Sequence, residues 1–370
     1  MTGRTDEQTI AFAERVLDLL DRGGFVATYK YAVLLGLIDL CMESTRGDGT
    51  PRDAFTTREL ALKIVELYWP QTMRYRDARV LRQNKGSQAR IVADIIAFRG
   101  ALPDPSVPIH LACLEQPAAF RKLLDKVEWT LILMPLPKLQ KVGRQKERLL
   151  YDIGWDDGIE RQKRRVTAYQ SGGGHFDNQI RLLPGVAENL VRLNGLLRPL
   201  IHRDWAAMVA RINRDVFDEA SLEGFLFGVD RTALVPVRRD LVELQNGRCF
   251  YCDQPLGRQI EVDHFIPWSR YADNAIQNLV AADKGCNGKK RNFIAATEHL
   301  AHWVERNADG SAAARQLEEI SRKRSWESHG EETLGVARSI YLRLREGTSL
   351  WKLGDEFVGA KAAEVAVALG

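Results

Sequence analysis

The chain has 370 residues, 45% of them hydrophobic, which is ample for two or three packed domains. Its 53 lysines and arginines against 49 acidic residues leave a net charge of +4, too mild to mark a nucleic-acid binder by composition alone. The start lacks the basic-then-apolar order of a secretory signal and no apolar run approaches a membrane span, so a soluble, cytoplasmic chain with no membrane partner is expected.

Helical periodicity dominates the first half. From Glu7 to Arg22, residues Ile10, Ala13, Val16, Leu17 and Leu20 form one stripe that Gly23-Gly24 stops, and Thr28 to Glu43 is apolar almost all round, the pattern of a buried helix. Thr56-Thr57-Arg58-Glu59 has capping-box spacing for a helix that Pro70 closes near Tyr68, and another helix is expected from Ser87 to about Arg99. Arg74, Arg76, Arg79, Arg82 and Lys85, set between short helices, allow a winged-helix-like unit within residues 1–128. Cys41 and Cys113 lie in apolar surroundings, as buried thiols do.

Trp129 to Met134 has the look of a short buried strand, with Arg148 to Ile153 as its partner. Between Leu136 and Gln170 stand nine basic residues (Lys138, Lys141, Arg144, Lys146, Arg148, Arg161, Lys163, Arg164, Arg165) against five acidic ones. That local excess of four equals the excess of the whole chain, and Lys163, Arg164 and Arg165 in particular suit a phosphate backbone, although a solvated charged face reads the same way. Gly172-Gly173-Gly174 breaks regularity and reads as a flexible joint. Residues 129–175 are therefore set apart as a basic strand and loop segment. Helices resume over residues 176–240, at Ala187 to Leu200, Trp205 to Ile212 and Leu222 to Phe227, and a last helical region spans 297–370 with breaks near Asp309-Gly310 and Gly347.

Residues 241–296 differ from both flanks. Cys249-Phe-Tyr-Cys252 sits on a turn, Gln259 to Val262 is a short strand leading into Asp263-His264, a polar loop follows, and Asn278-Leu279-Val280 leads toward a helix near Cys286 to Ala295. Breaking a phosphodiester requires a base for the attacking water and positive charge near the leaving oxygen. The imidazole of His264 suits the first task, and the hard oxygen donors of Asp263 and Asn287 suit Mg²⁺ or Mn²⁺ for the second. Lys289, Lys290 and Arg291 follow as candidate phosphate contacts. His110, His175, His202, His299, His302 and His329 have no comparable neighbours.

In these residues the chain resembles the HNH endonuclease family, with Asp263-His264, Asn278 and Asn287 at the matching positions, 14 and 23 residues beyond His264 for the two asparagines. The resemblance implies a mainly α chain whose helical N- and C-terminal regions flank a small α+β module, the ββα-metal nuclease domain. It implies that Asn278 holds the loop and orients His264. It also implies a DNA substrate, taken as double-stranded, and a stand-alone bacterial protein of the kind linked to phage defence. Two Cys-x-x-Cys pairs bracketing such a core would make a tetrahedral structural zinc site. Here Asp283 stands where one cysteine would, so Cys249, Cys252, Asp283 and Cys286 make either a three-thiolate, one-carboxylate Zn²⁺ site or a zinc-free variant. Cutting both strands calls for a homodimer or two nicks. An effector activated by a partner protein or guide complex, and a zinc-stabilised DNA-binding protein without catalysis, are the alternatives.

Overall fold

The computed structural model describes residues 2–22, 26–76, 79–140, 148–214, 219–228 and 234–370. They form two compact units, Met1–Cys41 with Arg52–Gly228, and Met42–Pro51 with Val229–Gly370. Gly23-Gly24 and three of the basic residues noted above, Lys141, Arg144 and Lys146, lie outside the described residues. No described helix is long and apolar enough to cross a membrane.

The first unit contains, in order, α1 (Thr2–Arg22), α2 (Tyr29–Glu43), β1 (Ala54–Thr56), α3 (Thr57–Tyr68), α4 (Arg90–Arg99), α5 (Ile109–Glu115), α6 (Pro117–Leu133), β2 (Tyr151–Ile153), α7 (Lys163–Gln170), β3 (Gln179–Leu182), α8 (Val186–Arg192), α9 (Asn194–Ile212) and α10 (Glu219–Phe227). As its composition demands, α2 is buried without a break from residue 31 to residue 42. The capping box at α3 is formed: Glu59 N donates to the Thr56 hydroxyl at 3.1 Å, and the Glu59 carboxylate accepts from Thr56 N at 2.7 Å.

Several expectations for this unit are corrected. Trp129 to Met134 is not a strand, because residues 129–133 are the last turns of α6 and Met134 is its C-cap. Val127 to Ile132 are all buried, so neither a period of two nor one of 3.6 is visible there, and a short apolar run cannot be typed without its flanks. The partner of β2 is instead β3, in a three-stranded antiparallel sheet of order β1-β3-β2 that pairs Tyr151 with Leu182 and Ile153 with Ile180. Gly172 (φ 79°) and Gly173, whose N donates to Ala168 O at 2.9 Å, terminate α7 inside this unit. That run is therefore a helix cap rather than a joint between domains. Helix α9 runs unbroken through Pro199, since the buried side chains of Leu197, Ile201 and Trp205 outweigh one missing N–H. Arg74, Arg76, Arg79, Arg82 and Lys85 lie outside helices, between residue 72 and α4, as expected of cations set between helices.

The second unit contains α11 (Val235–Leu244), β4 (Ile260–His264), β5 (Leu279–Asp283), α12 (Lys284–Lys290), α13 (Thr297–Asn307), α14 (Ala312–Arg324), α15 (Gly330–Tyr341), β6 (Ser349–Leu353), β7 (Glu356–Gly359) and α16 (Ala362–Leu369). β4 and β5 are antiparallel, in a register that sets Ile260 against Asp283 and His264 against Leu279. Leu241, Ile276, Leu279, Ala281 and Leu317 form a buried apolar cluster supporting this pair from α11 and α14. Truncating one such leucine costs about 2–5 kcal/mol. The helix expected near Cys286 to Ala295 is shorter and earlier, ending at Lys290. The C-terminal region is not wholly helical, because β6 and β7 form a hairpin around Gly354 (φ 55°). The two short β-prone runs Leu350-Trp351 and Phe357-Val358, on either side of the turn residues Gly354-Asp355, are the signal for it.

Candidate active site and metal centre

The cysteine-bearing turn is shaped by backbone hydrogen bonds. Asp253 N donates to Cys249 O at 3.0 Å and Cys249 N to Gln254 O at 2.9 Å, with Asp253 at φ 55° and Gly247 at φ 71° reversing the chain. From the other side, Asp283 ends β5 and caps α12, its carboxylate accepting from Cys286 N at 3.0 Å. The two turns bring one ligand atom each from Cys249, Cys252, Asp283 and Cys286 to within 4.8 Å of one another. A tetrahedral zinc with bonds of about 2.3 Å to sulfur needs donors at such spacing, so this set fits the ion. Burial opposes ionisation of Asp283, yet hydrogen bonds from the Cys286 thiol and backbone and from the other two cysteines hold its carboxyl down at about 2.

The second constellation lines a cleft of about 740 Å³. Its walls include Glu261, Asp263 and His264 from β4, Pro267 and Trp268 from the loop beyond it, Lys284, Asn287 and Gly288 from α12, then Arg291 and Asn292, with Leu234, Val235 and Arg238 at and beside α11. Asp263 and His264, adjacent on β4, and Asn287, 23 residues further on, thus line one space. Glu261 and Asp263, two apart on one strand, stand on the same side of β4, and Glu261 accepts from the Asn287 amide nitrogen at 2.5 Å. That bond directs the Asn287 amide oxygen away from Glu261. Two carboxylates and an amide oxygen on one wall make a hard-donor set that fits Mg²⁺ or Mn²⁺.

His264 is buried, and its Nε2 lies 2.9 Å from the amide oxygen of Asn274. Donation to that oxygen keeps the proton on Nε2 and leaves Nδ1 as the ring's acceptor. Burial lowers the imidazole's pKa, while the Asn274 bond and the charges of Asp263 and Asp273 act the other way. The net fall favours the neutral ring near pH 7. Asn274 is itself fixed, because Trp326 donates to its backbone oxygen at 2.7 Å. The buried Asp273 beside it accepts from Ala275 N, His329 Nε2 and the Thr333 hydroxyl, at 2.7, 3.0 and 2.9 Å.

Asn278 is fully buried and ties the loop together. Its amide oxygen accepts from Ile266 N at 2.8 Å, and its amide nitrogen donates to Asp273 O at 3.1 Å and to Ile266 O at 3.3 Å. Holding the loop is the role expected of it; the ring of His264 is oriented by Asn274 instead. Replacing Asn274 with alanine should lower any turnover that uses His264 by roughly 10- to 100-fold with little change in KM, since only the ring's tautomer and aim are lost. Steady-state kinetics on the purified variant would check this.

The cations divide by burial. Lys290 is fully buried, donating to His264 O at 2.8 Å and pairing with Asp263 Oδ2 at 2.9 Å, where the Tyr251 hydroxyl also donates at 2.5 Å. It is enclosed, and so is not presented to a phosphate outside as the sequence suggested. Lys290→Met should therefore destabilise this unit by about 3–5 kcal/mol, by stranding the Asp263 charge, a loss readable in a thermal melt. Lys289 is exposed and pairs with Asp355 at 2.6 Å. Arg291 (φ 49°) lines the cleft, as do Arg238 and Lys284, which the sequence reading passed over. Lys163, Arg164 and Arg165 lie in the first unit on α7, where Lys163 and Arg164 border a shallow concavity with Arg161 and Arg165 donates to His175 O at 2.9 Å.

Glu261, Asn274 and Trp268 were likewise missed. The i, i+2 spacing of Glu261 and Asp263 was the one available signal; Asn274 sits in a loop where nothing in the sequence marks it.

No curated protein matches the chain, and no solved structure does. The family of HNH endonucleases matches it over residues 249–296, a span holding the four candidate zinc ligands and the cleft residues from Ile260 to Asn292, but not Leu234, Val235 or Arg238. The chain therefore carries, within its second unit, a domain of the HNH endonuclease family.

Proposed function

We propose that the protein is a metal-dependent endonuclease that hydrolyses DNA phosphodiester bonds, with the β4–β5–α12 module acting as a ββα-metal centre. The observation that carries this reading is the convergence of Asp263, His264 and Asn287 on one cleft whose rim bears Arg238, Lys284 and Arg291. Cations so placed suit a phosphate backbone.

His264 Nδ1 takes the proton of a water that attacks phosphorus, and the bond from phosphorus to the 3′ oxygen breaks, leaving a 5′ phosphate and a 3′ hydroxyl. Asp263 and Asn287, with Glu261 beside them, would hold the Mg²⁺ or Mn²⁺, which when bound offsets the charge developing on the leaving oxygen. Asn274 fixes the proton on Nε2. Lys290 anchors Asp263 through Oδ2, leaving its other carboxylate oxygen for the cleft. The thiolates of Cys249, Cys252 and Cys286, with Asp283, would hold a structural Zn²⁺, tying the start of α12, and hence Asn287, to the turn at residues 249–252.

The test is plasmid nicking by purified protein of measured zinc content, with Mg²⁺, with Mn²⁺ and with EDTA. Nicks that need the divalent ion and carry 5′ phosphates are expected. Plasmid and single-stranded DNA both left intact by folded, zinc-replete protein under every divalent ion would overturn the reading.

A further inference from the structure

The cleft is not lined by charge alone. Leu234, Ile260 and Val262 in its lining pack on the apolar cluster beneath β4 and β5, but Val235, 53% exposed, with Pro267 and Trp268 gives it an apolar wall of its own. A phosphodiester backbone by itself calls for cations and donors, and has no use for such a wall. Trp268 is half-buried, and its ring centre lies 5.3 Å from that of His264, tilted by 60°. Its support is rigid, since Arg270 N donates to Pro267 O at 2.8 Å and Asn278 clamps Ile266 on both backbone groups.

In a continuous duplex both faces of each base are covered by its neighbours, so an indole this close to the proton acceptor can stack only on a base that has left the helix. Stacking on a fixed aromatic ring beside a cationic groove is how unpaired strands are held without sequence preference. Building on the nuclease reading, we propose that the cleft takes an unpaired nucleotide, in a single strand, bubble or flap, and stacks the base next to the scissile phosphate on Trp268 while Arg238, Lys284 and Arg291 hold the flanking phosphates. This departs from the continuous duplex expected from the family resemblance.

The experiment measures binding of fluorescein-labelled oligothymidylate and of a blunt duplex by anisotropy in EDTA, for the full-length wild type, Trp268→Ala and Trp268→Phe. Metal-dependent nicking by the wild type, of plasmid and of a duplex carrying an unpaired bubble, is run alongside. Trp268→Ala should weaken oligothymidylate binding by roughly 5- to 150-fold. Duplex binding should fall by less, and Trp268→Phe should keep most of the single-strand affinity. Oligothymidylate should also quench part of the wild-type tryptophan emission that Trp268→Phe lacks, a readout that survives if the alanine variant misfolds. Equal weakening of both DNAs, or no weakening with this quenching absent, would overturn the stacking site. If nicking persists in that case, the nuclease reading stands without it; Trp268-dependent binding with no nicking under any divalent ion would instead uphold the stacking site and remove the nuclease.

Discussion

His264→Ala is expected to lower the rate of DNA cleavage by roughly 10²- to 10⁴-fold, the range that a positioned general base contributes. The ring is held by the Asn274 amide oxygen at 2.9 Å, so its removal deletes a preset acceptor, and no other imidazole lines the cleft among the described residues. The substitution trims a buried ring that packs beside the tilted Trp268 and leaves Arg238, Lys284 and Arg291 in place, so DNA binding should persist. Single-turnover cleavage and DNA-binding anisotropy on the same preparation separate the two quantities. A zinc-stabilised DNA-binding protein without catalysis predicts the reverse: no effect of His264→Ala on biological activity, and a large effect of charge reversal at Lys163, Arg164 and Arg165. Unchanged cleavage in His264→Ala would remove the proposed mechanism.

Loss of the zinc centre should have the larger structural effect. Structural zinc contributes about 10–16 kcal/mol of apparent binding free energy in small metal-folded domains, comparable to or larger than the net stability of an ordinary domain. Here the ligands join the turn at residues 249–252 to the junction of β5 and α12, and α12 has only seven residues, too few to persist alone. One zinc per chain is expected by elemental analysis. Cys286→Ser should lose it and unfold the hairpin and α12, while the apolar cluster of α11, β5 and α14 retains part of the second unit. Asp283→Ala should weaken zinc and cost about 0.5–2 kcal/mol more through the lost helix cap. Asp283→Cys should restore a four-thiolate site and raise zinc retention against a chelator. Zinc-free protein that melts as the Cys286→Ser variant does would rule the centre out.

Much of this was legible along the chain. The capping box at Thr56–Glu59 needs only residues three apart, and the buried helix α2 announces itself by an unbroken apolar run. The Cys-x-x-Cys turn, Asp263-His264, Asn278 and Asn287 were visible because their chemistry is written in residue type at short spacing. Where local signals were ambiguous the reading failed: the end of α6 passed for a strand because residues 127–132 are enclosed on every side, and the pairing of β2 with β3 joins residues across an intervening helix.

The sequence by itself determined which side chains with suitable chemistry stand at short spacing, and that three cysteines and a carboxylate were available for a metal, since those properties reside in side-chain type. Only the tertiary structure decided how they are deployed. It set Asn274, not Asn278, against His264, enclosed Lys290 as the counter-ion of Asp263, and added Glu261, Arg238 and Trp268 to the cleft. The physical reason is that orientation and burial depend on contacts between residues far apart in the chain. Whether a lysine meets solvent or a carboxylate is settled by the packing around it, and no local pattern of residues records that.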